Sequence, residues 1–276
     1  MKTRETVQGF GKFLGNVLKT DRWVLLACDG KMGEGKSCFT SQLAQAAAQT
    51  CHTPFNYDTN MTFSRQELSI WIDGDENGKK QKSEFSAILA DELISMFFKR
   101  NWYDKSQING IELLNKCRDR HQLILGNVPN FWDLDGAIKP IITFWVHIPE
   151  RGRAWVFEQD KNPWSKDKWH QNANEKYFRK KKNPYGALGF VCEIRFPDWT
   201  SAEKAQYYKV RNVKRVGTEG QREEKIVPHT KLRRQRNKLI RLYYDPDKPQ
   251  LKDGKLAEHL GIDRAHLNQI KNGVVV

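Results

Sequence analysis

Glycines at positions 30, 33 and 35, followed at once by Lys36 and Ser37, constrain this chain more than any other feature. The run Gly30-Lys31-Met32-Gly33-Glu34-Gly35-Lys36-Ser37 fits G-x-x-x-x-G-K-[ST], a loop whose backbone N–H groups converge on phosphate oxygens. Its flanks suit that role. Trp23 to Cys28 reads as a buried strand entering the loop, and Ser37 to Gln49 reads as a helix leaving it, with Phe39, Leu43, Ala46 and Ala47 on one face. A strand, a glycine loop and a helix N-terminus in that order favour an anion, because free amides and the helix dipole point the same way. The expected binding residues are Gly30, Lys31, Met32, Gly33, Glu34, Gly35, Lys36, Ser37 and Cys38, and the expected cofactors are ATP and Mg²⁺. Lys36 is expected to reach the β/γ-phosphates, and the Ser37 hydroxyl to sit on Mg²⁺.

A nucleotide hydrolase also needs a carboxylate at the end of a second buried strand. Phe85 to Ala90 is such a strand, followed directly by Asp91-Glu92. Asp91 is assigned to the metal and Glu92 to orienting the attacking water; the alternative is that Asp91 caps a helix beginning near Leu93. A third strand over Gln122 to Gly126 ends in Asn127, placed either to sense the terminal phosphate or simply to make the turn before Val128-Pro129. Ile141 to Ile148 and Ala154 to Glu158 supply further strands. Strands alternating with helices predict an α/β fold with a mostly parallel sheet.

Charge is divided unevenly along the chain. Residues 1–150 hold 18 Lys+Arg and 18 Asp+Glu, so the whole excess of +14 falls in residues 151–276. A neutral catalytic part followed by a basic part points to a polyanionic partner, and nucleic acid releases counterions on meeting such a surface. DNA is therefore the expected partner. Between Lys161 and Tyr208 aromatics alternate with cations, including Trp164, Trp169, Tyr177, Tyr185, Trp199, Tyr207 and Tyr208; Arg179, Lys180, Lys181 and Lys182 are the expected phosphate contacts. No stretch reaches 18 consecutive apolar residues and no leader pattern opens the chain, so a cytoplasmic protein without a membrane span is expected. The five cysteines are scattered, as befits reduced thiols rather than a disulfide frame or zinc site. The segments 73–82, 172–183 and 216–225 read as loose.

Near the C-terminus, Lys255 to Ile270 has helix-turn-helix spacing, with Ala257 at the crossing, Gly261 in the turn and Ile262, Leu267 and Ile270 packed inside. A second helix capped by Asp263 would present Arg264, His266, Asn268, Gln269 and Lys271 to the major groove; a helical hairpin for protein contact is the alternative. The expected organisation is an ATPase domain over 1–160, a basic aromatic-rich extension over 161–225, and a small all-α module over 226–276.

The succession of phosphate loop, Asn60 to Leu68, Asp91-Glu92, Arg100-Asn101-Trp102, Arg118-Asp119-Arg120 and the strand ending at Asn127 resembles ATPases of the FtsK-HerA group. That group includes the zonula-occludens-toxin-like proteins and viral DNA-packaging motors, and the resemblance covers roughly Trp23 to Phe157. It implies a RecA-like core that assembles into a ring and moves DNA. The filamentous-phage members carry a membrane-spanning segment, which this sequence lacks. The resemblance also implies a basic finger acting on a neighbouring subunit, for which Arg118, Arg120, Arg151 and Arg153 are candidates. Lys31 is similar to the loop lysine of ParA-like partition ATPases, which work as dimers. The expected function is thus a DNA-dependent ATPase of viral, phage or plasmid type engaged in translocation or packaging. A partition ATPase and a nucleotide-switched DNA-binding regulator are the alternatives.

Overall fold

The computed structural model describes residues 4–75, 80–91, 93, 117–224 and 265. The chain divides into two units, Met1–Arg215 and Val216–Val276.

The first unit is built on one eight-stranded sheet. Its strands in chain order are β1 (Arg4–Thr6), β2 (Val24–Gly30), β3 (Met61–Thr62), β4 (Ala87–Ala90), β5 (Leu123–Asn127), β6 (Phe144–Glu150), β7 (Arg153–Glu158) and β8 (Phe190–Arg195). They lie in the order β1-β8-β7-β6-β2-β5-β4-β3. All neighbours run parallel except β7, which is antiparallel to both β6 and β8. Every residue of β2 is buried, which is why Val24-Leu25-Leu26-Ala27-Cys28 reads as a continuous apolar run instead of alternating.

Helices cover both faces. One face carries α1 (Val7–Leu18) and α2 (Lys36–Cys51), whose Phe10, Leu14, Phe39 and Leu43 pack with Leu26, Cys28 and Val146 of the sheet. Gly11 lets these two helices approach closely: a Cβ there would lie 2.4 Å from the Ala46 Cβ. The short α3 (Tyr57–Asn60) lies on the same side through the buried ring of Tyr57. The opposite face is largely aromatic. Leu68 and Trp71 of α4 (Arg65–Asp73) share its core with Phe131, Trp145, Trp155, Phe157 and Trp169.

The unit does not stop near residue 160. Glu158 is the end of β7, and β8 continues the sheet by pairing with both β7 and β1, so the boundary falls at Arg215. The segment 172–183, read from its polar composition as loose, is mostly α5 (Gln171–Lys180). Asp167 accepts from the amides of Gln171 and Asn172 at 2.8 and 3.2 Å, and Phe178 stacks on Trp155 with ring centroids 5.6 Å apart. Capping and one aromatic anchor outweigh the polar composition. The last described helix, α6 (Ser201–Glu224), likewise runs through most of the expected loose segment at 216–225. The expected helix-turn-helix module, including Arg264, His266, Asn268, Gln269 and Lys271, lies outside the described residues; Ala265 within it is helical and exposed.

Candidate functional site

The carboxyl ends of β2, β4 and β5 converge on one group of polar side chains. β2 ends in Gly30, whose φ of +140° suits glycine alone; a Cβ there would lie 2.6 Å from the Ile148 carbonyl oxygen. The loop then turns into α2 at Gly35, a left-handed N-cap with no side-chain cap. Phe39 N donates to Gly35 O at 2.9 Å, so the amides of Lys36, Ser37 and Cys38 are those a helix leaves without an intrahelical acceptor. They are available to an anion at the positive end of the helix dipole. The Lys36 ammonium folds back over the loop, donating to Gly30 O at 2.6 Å and Lys31 O at 2.9 Å. Lys31, Met32 and Gly33 are exposed, and Glu34 is half-buried. The Cys38 thiol faces away: its sulfur lies 3.6 Å from Pro197 O, and burial pushes its pKa up to about 11. Cys38 can thus serve the loop only through its backbone.

Asp91 follows β4 directly and is nearly inaccessible at 6% exposure. Asn127 ends β5, which lies between β2 and β4, and is in register with Cys28 of β2. Its side-chain amide donates to Asp91 Oδ1 at 2.7 Å and lies 3.4 Å from Ser37 Oγ. Its carbonyl accepts from Thr40 Oγ1 at 3.2 Å. Ser37 Oγ is in turn 3.4 Å from Asp91 Oδ1. The sheet therefore brings together Lys36, Ser37, Asp91 and Asn127, four of the residues singled out by sequence. Glu92 lies outside the described residues.

The donor set fits magnesium. A serine hydroxyl beside a carboxylate offers hard oxygens, and Mg²⁺ is commonly held by one or two such groups together with substrate phosphates. Among the described residues no three His, Cys, Asp or Glu side chains gather into a metal site of the all-protein kind. Bound there, Mg²⁺ would neutralise charge developing on transferred phosphate.

Two features of the site gave no recognised signal in the sequence. Asp29, the last residue before Gly30, is buried and accepts from Phe131 N at 3.0 Å and pairs with His147 Nδ1 at 2.8 Å. It ties the tips of β2 and β6 to the turn after β5; an acid at the end of an apolar strand was the available hint. The other is Tyr207 of α6, whose hydroxyl donates to Asp91 Oδ2 across 116 residues of chain. Nothing in the local sequence around Tyr207 points to Asp91. Of the aromatics between Lys161 and Tyr208, Tyr207 and Trp169 are buried in the core and cannot stack on bases, whereas Trp164 is 88% exposed and Tyr208 also reaches the surface.

Two of the four finger candidates are engaged within the chain. Arg151 forms a two-pronged pair with Asp198 at 2.6 and 2.7 Å, and Arg153 bonds the buried Glu193 at 2.7 Å and Glu150 at 3.2 Å. Arg120 is half-buried, and the Arg118 side chain lies outside the described residues. Lys180, Lys181 and Lys182 are exposed at the end of α5, while Arg179, also exposed, pairs with Glu175 at 2.5 Å. Among the described residues no helix is long and apolar enough to cross a membrane.

A mostly parallel sheet, a phosphate-type loop between its β2 and α2, and a carboxylate two strands away fit the P-loop NTPase fold. No protein-family model matches the chain, and no curated protein does either. Among solved structures, it is similar to the genome-packaging NTPase B204 of Sulfolobus turreted icosahedral virus 2, at 8% identity and a TM-score of 0.34 over 49% of this chain and 92% of that one. A HORMA:CdnC:Trip13 complex of E. coli MS115-1 aligns at 13% identity and a TM-score of 0.38, over 96% of this chain and 86% of its own. PCH-2 of C. elegans aligns at 16% identity and a TM-score of 0.35, over 52% and 42%. At such scores the fold class stands on the chain's own sheet order and loop.

Proposed function

We propose that this chain is an ATP hydrolase with a RecA-like core that acts on DNA. The observation that carries the ATPase reading is the meeting of Lys36, Ser37, Asp91 and Asn127 at the tips of three adjacent parallel strands. The loop amides and Lys36 bind and orient the phosphates. Ser37 and Asp91 would hold Mg²⁺, and Asn127 would read the terminal phosphate. Glu92, next along the chain from Asp91, orients the attacking water. The interposed strand β5 supports the RecA-like assignment, because it puts a polar strand tip between the two phosphate-facing strands.

DNA is the partner that the charge supports. The basic excess lies beyond residue 150, and Arg179 to Lys182 are exposed. Translocation or packaging by a homo-oligomeric ring, in the cytoplasm, is the task in keeping with the resemblance to the FtsK-HerA group. The C-terminal residues Arg264, His266, Asn268, Gln269 and Lys271 would add base contacts.

Hydrolysis measured with and without DNA tests this reading. Lys36→Ala should abolish turnover and weaken nucleotide binding while the protein stays folded. Glu92→Gln should still bind ATP, with turnover lowered on the order of a hundredfold. Equal turnover in wild type and Glu92→Gln contradicts the assignment of Glu92, and a wild type that hydrolyses no ATP contradicts the whole.

A further inference from the structure

Asp91 uses both carboxylate oxygens within the protein. Oδ1 faces Ser37 and Asn127, the side on which a metal would be held. Oδ2 accepts the hydroxyl of Tyr207, which reaches it from α6. The tyrosine ring is not free to choose this partner. It is buried, stands edge-on to Tyr57 with centroids 5.7 Å apart, and lies 4.6 Å from the Trp199 ring. A second grip lies further along the same helix. Lys214 donates to Met61 O of β3 at 2.7 Å and to Glu67 of α4 at 2.8 Å. Tyr207, the buried Val210 and Lys214 follow the i, i+3, i+7 spacing of one helical face, which bears on the tips of β3 and β4.

We propose that Tyr207 is the positioning residue for Asp91: α6 fixes the metal-facing carboxylate by its far oxygen and leaves the near one toward Ser37. The inference rests on the nucleotide-site reading and extends it to a helix that neither motif contains. Carboxylates that hold a metal are themselves oriented by hydrogen bonds from outside the ligand set, and losing one such partner typically costs 10–100-fold in metal affinity. Tyr207 suits the role because a phenol, with an ordinary pKa of about 10, is a hydrogen-bond donor at neutral pH. Metal binding at Oδ1 does not require the Tyr207 bond to break, so the hydroxyl should assist the metal instead of competing with it.

The test is binding, not turnover. The full chain is titrated with a non-hydrolysable ATP analogue in EDTA, and then with MgCl₂ at fixed analogue. Tyr207→Phe keeps the buried ring and removes only the hydroxyl. Affinity in EDTA should match wild type, while the half-saturating Mg²⁺ concentration should rise about tenfold. In an Asp91→Asn background the same change should add nothing further. In wild type, amide exchange over 201–215 should slow more with Mg²⁺ and analogue than with analogue alone, a readout that needs no variant. Unchanged Mg²⁺ dependence, an equal loss of affinity in EDTA, or α6 exchange indifferent to Mg²⁺ overturns the proposal alone. Tighter Mg²⁺ binding in Tyr207→Phe overturns it as well, by showing the hydroxyl to be a rival of the metal. A wild type that binds no analogue under either condition overturns the nucleotide site and this inference with it.

Discussion

Arg153 and Glu193 show what a single residue does in the interior of the sheet. Glu193 is fully buried on β8, and Arg153 on β7 meets it at 2.7 Å, with the Tyr185 hydroxyl at 3.2 Å from the same oxygen. Burial pushes the Glu193 carboxyl up, but the Arg153 hydrogen bond and charge, helped by Tyr185 and Arg195, carry it below the ordinary glutamate value. A carboxyl lowered in the folded state stabilises the protein above its unfolded pKa of about 4.3, and that contribution fades as pH falls through the folded value. Arg153→Met should strand the charge and cost about 3–5 kcal/mol at pH 7, the lower end being expected because Arg195 stays 3.4 Å from the other oxygen. Without Arg153 burial dominates, so the Glu193 pKa rises and protonation relieves the penalty. The gap between variant and wild type in urea unfolding should therefore narrow between pH 7 and pH 4. A gap that is constant with pH would show that the loss is one of packing.

Among elements, the contact between α1 and α2 is the most sharply conditioned. The Gly11 position meets Ala46 and the backbone around Ala47, all within 3.3 Å of an added Cβ, and these are backbone or short side chains that cannot swing aside. Gly11→Leu should push α1 off α2 and lower stability by about 1–3 kcal/mol, read by thermal unfolding. α2 carries the phosphate loop at its N-terminus, so the same variant should bind nucleotide more weakly; undiminished affinity would mean that α1 supports the fold but not the loop. α5 makes a separate point. Lys180 at its end, and Lys181 and Lys182 just beyond it, are exposed and are proposed to touch only DNA backbone, so replacing all three with Ala should weaken every DNA sequence alike. The log–log salt slope should flatten by about 0.9 for each phosphate that the variant no longer neutralises. Weakening confined to one sequence would contradict that role.

For the whole molecule, the sheet decides where the chain can be cut. A fragment ending at Glu158 lacks β8 and α6, leaving β7 without one neighbour, β1 without its strand partner β8, and Asp91 without Tyr207. It should fail to fold cooperatively, whereas residues 1–215 should fold and bind nucleotide. Residues 151–215 carry 16 Lys+Arg and 7 Asp+Glu, so the fragment 1–215 also keeps most of the basic excess. It should retain salt-sensitive DNA binding and lose any sequence preference that residues 226–276 supply. Circular dichroism melts and DNA titrations at two salt concentrations decide both points.

What could be read without coordinates was local chemistry. The glycine spacing at 30–37, the apolar run before it and the acid after a second apolar run are contiguous patterns, because strand burial and phosphate cradling are set by neighbours along the chain. Lys36, Ser37, Asp91 and Asn127 were each identifiable as strand-tip or loop residues, and a parallel sheet brings strand tips to one edge. Composition misled at 172–183, where an aspartate cap and one stacked phenylalanine make a helix of polar residues. It also misled at residue 160, because a charge count cannot see β8 pairing back onto β7 and β1. Tyr207 is the clearest case of a role that only tertiary structure decides. Its local sequence is a basic, aromatic stretch suited to a nucleic-acid surface, yet packing against Tyr57 and Trp199 turns the ring inward and delivers its hydroxyl to Asp91. Side-chain contacts across more than a hundred residues depend on which helix face meets which strand tip, and no spacing rule along the chain encodes that.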